Sequence, residues 1–126
     1  MSQEMNVVTW FEIPVNDMDR AVGFYQNILD VELNLNDMGP NKMAWFPWSQ
    51  GAPGSAGTLI KGEGYAPSAE GSVVYFSCEP DLQESLDKVE SNGGKVLVPK
   101  MGIGEFGFIA QIMDTEGNRV ALHSSN

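Results

Sequence analysis

Cysteine is nearly missing from the chain: Cys78 stands alone among 126 residues, so no disulfide within the chain can staple the fold. Its place inside the apolar run SVVYFSC predicts a buried thiol rather than a reactive one. Histidine is just as scarce, with His123 the sole imidazole. Basic residues number 7 against 17 acidic ones, and a formal charge of −10 argues against binding to nucleic acid or to an anionic membrane. No apolar run approaches the length of a membrane span, and the opening MSQEMNVV lacks a basic stretch followed by an apolar one, so a cytoplasmic protein is expected. The glycine-rich KMGIGEFG at 100–107 lacks the spacing of a phosphate-binding loop.

What the chain does contain is clearest from Val8 to Leu29. Phe11, Ile13 and Val15 alternate with Trp10, Glu12 and Pro14, the period of a strand with one apolar face. The period then changes. After Asn16 and Asp17, either able to cap a helix, Ala21, Phe24, Tyr25, Ile28 and Leu29 recur on one helical face. A helix joined to the strand by two residues folds back over the Phe11/Ile13/Val15 side. Glu12 is left on the opposite side beside an indole.

Further strands are expected at 31–35, at 43–48 and at 58–61, separated by the turn-rich DMGPNK and the loop SQGAPGSAG. The second half repeats this order. SVVYFSC at 72–78 is a strand, Asp81 caps a helix whose Leu82, Leu86 and Val89 share a face, and Asn92-Gly93-Gly94 ends it. Strands follow at 95–98, 106–113 and 119–124, the last two joined by the turn Asp114 to Asn118. The two caps, Asp17 and Asp81, superpose the halves with an offset of 64 residues. The expected fold is α+β in one domain over 1–126, with a first module at about 6–66 and a second at about 71–126.

Two such modules, each burying one sheet face under a helix, leave two faces to curl around a shared cleft. Alternation sends Val73, Tyr75 and Ser77, and likewise Arg119, Ala121 and His123, to the cleft side with Glu12. A carboxylate beside Trp10 and partly desolvated is a candidate general base, with His123 or Tyr75 assisting; alternatively Glu12 pairs with Lys61, Lys100 or His123 and only orders the cavity. Arg119 is a candidate contact for a carboxylate or phosphate. Trp10 and Phe106 are candidate walls, and Glu105, among three glycines, a candidate rim residue.

IPVNDMDRAVGFYQNIL at 13–29 and DTEGNRVALHS at 114–124 resemble motifs of the vicinal oxygen chelate superfamily, which includes glyoxalases, bleomycin-resistance proteins and extradiol dioxygenases. The resemblance implies paired βαβββ modules forming an incomplete eight-stranded barrel with helices outside, often as a homodimer. It also implies a metal centre in the enzymatic members. The positions corresponding to its ligands carry Trp10, Val73 or its neighbour, Ala121 and, near the fourth strand, Leu59, none of which binds a divalent ion through its side chain. The expected protein is therefore a member without metal or other cofactor that binds a small organic molecule. It acts either as a lyase or isomerase using Glu12 or as a non-catalytic protein sequestering a drug or metabolite, as bleomycin-resistance proteins do. A metal-dependent lyase or dioxygenase is the remaining alternative.

Overall fold

A computed structural model describes residues 6–37 and 39–126; the opening MSQEM and Met38 of the DMGPNK turn lie outside them. The first sheet contains β1 (Trp10–Pro14), β2 (Asn34–Leu35), β3 (Lys42–Trp45) and β4 (Ala56–Lys61), ordered β1-β4-β3-β2. The second contains β5 (Tyr75–Ser77), β6 (Lys95–Gly102), β7 (Phe108–Met113) and β8 (Arg119–Ser124), ordered β5-β8-β7-β6. In each, the first strand pairs parallel with the last and the remaining pairs are antiparallel. The paired-module, open-sheet architecture expected from the sequence is present, and each sheet is a separate ladder.

Helix α1 (Met18–Leu29) begins where the sequence places it. Asp17 Oδ1 accepts the Arg20 N–H at 3.0 Å, and Asp30 ends the helix in the left-handed conformation. Met18, Ala21, Phe24, Tyr25 and Ile28 form its buried face. The second helix is shorter than the apolar spacing predicts: α2 covers Gln83–Leu86, followed by a single 3-10 turn at Glu90–Asn92. Leu82, Leu86 and Val89 are nevertheless buried together.

The expected strand at 31–35 shrinks to two residues because Leu33 is buried and the Gln26 side chain takes its N–H at 2.9 Å, which removes it from the ladder. Conversely β6 runs on to Gly102 through two register shifts. The first and last strands of the two halves superpose with an offset of 63 rather than 64. Val15 N–H bonds Ile60 O in the first, and Cys78 N–H bonds His123 O in the second. One extra residue between Cys78 and Asp81 restores the helix offset.

The core lies between the helices and one face of each sheet. Tyr25, Phe46, Phe76 and Phe11 meet there with ring centroids 5.3–5.9 Å apart. Contacts of this kind contribute about 0.5–1.5 kcal/mol each beyond their buried area. Phe11 and Phe76 come from β1 and β5, so the two sheets adjoin along these strands. Cys78 is buried as expected, and burial pushes its thiol up.

Candidate functional site

Strand parity decides what faces away from the core. In β1 and β4, Ile13 and Leu59 belong to the apolar core, so Glu12 and Thr58 point the other way. The same holds in β3, where Ala44 is core, as is Phe46 just after the strand, and Trp45 is opposite. The registers Glu12↔Thr58, Thr58↔Trp45 and Trp45↔Asn34 then align four polar side chains in one row across all four strands of the first sheet.

Two atoms of this row lack partners among the described residues. Thr58 is fully buried, yet its Oγ1 makes no hydrogen bond, and the buried Trp45 Nε1 makes none either. Each such group ordinarily costs about 1–3 kcal/mol. Trp10 packs edge-on against Trp45 with centroids 4.8 Å apart, and its Nε1 donates to Glu12 Oε2 at 3.5 Å. The negative charge of Glu12, with burial and hydrogen bonding to Glu12, raises the Tyr65 phenol, so the segment joining the modules brings a tyrosine to the same carboxylate.

The expected cation partners of Glu12 are engaged or on other faces. Among the described residues the ion pairs are Arg20–Glu116 and Lys100–Asp81, at 2.7 and 2.8 Å. Lys100 also sits 4.6 Å above the Phe108 ring, which packs on the core, so it belongs to the helix side of the second sheet. Lys61 follows Leu59 on the helix side of the first, beside Asp17, Asp19 and Asp37. Glu12 itself is exposed, a departure from the partly desolvated carboxylate expected.

On the second sheet, Tyr75 pairs with Ala121 and Ala121 with Gln111; the 63-residue offset equates Tyr75 and Ala121 with Glu12 and Thr58, and Gln111 takes the place of Trp45 in the row. Tyr75 is 49% exposed and offers its phenol to solvent. Arg119 is held by Gln111 Oε1 at 2.8 Å and by the Ala69 carbonyl at 3.3 Å, which anchors the connecting segment. The His123 Nε2 lies 2.6 Å from the Phe106 carbonyl, so that nitrogen donates and only Nδ1 remains for other partners. Glu105 and Phe106 form the 3-10 turn at this end, with Phe106 70% exposed. The structure thus gathers Glu12 and Trp10 with Thr58, Trp45 and Tyr65. Lys61, Lys100, Glu105 and Phe106 lie elsewhere.

Strand parity could have found Thr58, since it alternates with Leu59. Tyr65 lies in an irregular segment and carries no periodic signal. A cavity of about 1050 Å³ lies apart from the row, between the 47–56 loop and the segment before β1, with Trp48 in its wall.

The residues do not fit the metal centre that the resemblance implies. Among those described, no three His, Cys, Asp or Glu side chains converge so as to hold a metal ion. Trp10 and Ala121 occupy two of the ligand positions, and Leu59, on the core side of β4, gives way at the inner face to Thr58.

The family model for the Glyoxalase/Bleomycin resistance protein/Dioxygenase superfamily matches residues 7–122. No curated protein matches the chain. Among solved structures, a glyoxylase/bleomycin resistance protein/dioxygenase domain from Frankia sp. EAN1pec superposes with a TM-score of 0.73 at 19% identity, covering 97% of this chain and 99% of that one. The fosfomycin resistance protein FosX from Listeria monocytogenes gives 0.70 at 15% identity, covering 100% and 94%. A glyoxalase I variant from Zea mays gives 0.68 at 20% identity, covering 93% of this chain but 45% of its own, so this chain spans less than half of the maize protein.

Proposed function

The chain belongs to the glyoxalase/bleomycin resistance protein/dioxygenase superfamily, and from that membership we propose that it holds a small organic molecule on the inner face of its first sheet, without a metal ion or other cofactor. The observation that carries this reading is the pair of unpartnered buried atoms, Thr58 Oγ1 and Trp45 Nε1, in one row with a carboxylate that no cation among the described residues pairs. Both atoms are closed to solvent, so a bound molecule supplies the missing partners by parting the Trp10–Trp45 contact, and the two indoles then give it apolar walls.

Binding without turnover, as in sequestering a drug or metabolite, is the reading the geometry favours. Glu12 is open to water, and one nitrogen of His123 is committed to the Phe106 carbonyl. A lyase or isomerase reaction is the second reading, favoured by the neighbourhood of Glu12 and Tyr65: the carboxylate would take a proton beside a carbonyl and the phenol would donate one. The same proposal includes a homodimer, which would cover the exposed Tyr75, Met101 and Phe106 of the second module.

A ligand-observed magnetic resonance screen with coumarin, quinoline and indole tests the binding site. Bound compounds should weaken at least tenfold, about 1.4 kcal/mol, on Trp45→Phe or Thr58→Val. Binding indifferent to both substitutions overturns the assignment to this face.

A further inference from the structure

Glu12 differs from the other acidic groups whose surroundings hold them ionised. Glu116 and Asp81 have Arg20 and Lys100, and Glu79 accepts both the N–H and the hydroxyl of Ser125. Among the described residues Glu12 has only a 3.5 Å bond from the Trp10 indole and the nearby Tyr65 phenol. These are neutral donors, and they leave its charge uncompensated.

A molecule that parts the Trp10–Trp45 contact to reach the solvent-closed Trp45 Nε1 and Thr58 Oγ1 and extends to β1 spans two strand-to-strand steps, about 10 Å. Such a molecule covers the carboxylate and strips water from it. If the ligand is neutral at that end, the covered charge goes uncompensated, which opposes binding. An anionic end meets the carboxylate directly and a protein of net charge −10. A cationic end satisfies Glu12, and the electron-rich faces of Trp10, Trp45 and Tyr65 attract it further. At the other end, Trp45 Nε1 can only donate, so it requires an acceptor on the ligand.

We infer that the site takes organic cations: flat molecules about 10 Å long, with a protonated amine or amidinium against Glu12 and a carbonyl-type acceptor against the Trp45 indole N–H. The inference rests on the inner-face binding reading above and names its ligand class.

Three probes sharing one body test it: 7-aminomethylcoumarin, 7-hydroxymethylcoumarin and coumarin-7-carboxylate, titrated calorimetrically at physiological salt. The amine should bind at least tenfold tighter than the alcohol, with the carboxylate weakest. Glu12→Gln should bring the amine down to the level of the alcohol and leave the alcohol within about threefold, whereas Glu84→Gln on α2 should leave the preference intact. Equal affinity for amine and alcohol, a preference that survives Glu12→Gln, or no binding of the amine overturns the inference. Sensitivity of the alcohol to Trp45→Phe separates the two claims: if it persists while the amine preference is absent, the inner-face site stands and only its cation selectivity falls.

Discussion

Arg20 Nε donates to Glu116 Oε2 at 2.7 Å, joining the first helix to the hairpin turn of the other module. Glu116 Oε1 also accepts the N–H groups of Asn16 and Asp17, both at 2.8 Å, so a carboxylate from the second module caps the first helix. One residue pair further in, the buried Tyr25 hydroxyl donates to Asp114 at 2.6 Å, and Asn118 Nδ2 reaches the Pro14 carbonyl at 2.8 Å. The two motifs that carry the family resemblance are thus halves of one joint. They hold the sheets together rather than line the site.

Removing this buried capping carboxylate should therefore cost stability. The Glu116 side chain is 0% exposed and that of Arg20 51%, so Glu116 is the less replaceable partner. Glu116→Gln should lower unfolding stability by about 2 kcal/mol and Arg20→Gln by less, read from urea midpoints. Equal midpoints for Glu116→Gln and the parent protein would contradict the joint.

The same contacts set an acid limb. Hydrogen bonds from Arg20, Asp17, Thr115 and Asn16 outweigh burial, itself the largest single influence, and hold the Glu116 carboxyl at about 2 against an ordinary 4.5. A carboxyl lowered in the folded state contributes stability above its unfolded value and loses it as pH falls through the folded one. Stability should decline from pH 4.5 toward 2, with Asp81 and Glu79 adding in the same direction, and Glu116→Gln should flatten the decline. Unfolding midpoints measured across that range check it.

Thr58 is predicted to trade stability for binding. Replacing its unpartnered buried hydroxyl with a methyl in Thr58→Val should raise stability by about 0.5–1.5 kcal/mol while weakening ligand binding. A loss of stability would mean that the hydroxyl already has a partner in solution.

Metal binding should be weak. Chelator-treated protein titrated with zinc, nickel, manganese and ferrous iron should show no stoichiometric site tighter than about 1 μM. A tighter site would return metal-dependent chemistry to this chain and move the ligand away from the row described.

Legibility in the sequence followed periodicity. The faces of Glu12, Tyr75 and Arg119 were readable because strand parity holds wherever the ladder is regular, and Asp17 was readable because a cap sits at a change of period. Lys61 was readable by the same parity, two residues from core Leu59. Lys100 was not, because it lies between Val98 and Met101, where β6 shifts register and alternation no longer tracks the face. The offset of 64 came from the helix caps and missed the single residue inserted after β5. Tyr65 reaches Glu12 through an irregular segment that leaves no pattern, and neither missing hydrogen bond, at Trp45 or Thr58, has any sequence signature.

The most direct test of the binding row is the set of indole N–H resonances. The chain has three tryptophans, two at the inner face and Trp48 in the wall of the separate cavity, and single Trp→Phe substitutions assign their signals. On adding 7-aminomethylcoumarin, the Trp45 and Trp10 signals should move together in proportion to binding, and further than that of Trp48, which lines a smaller hollow with Trp45. Movement of Trp48 alone would put the ligand in the other cavity and contradict the account.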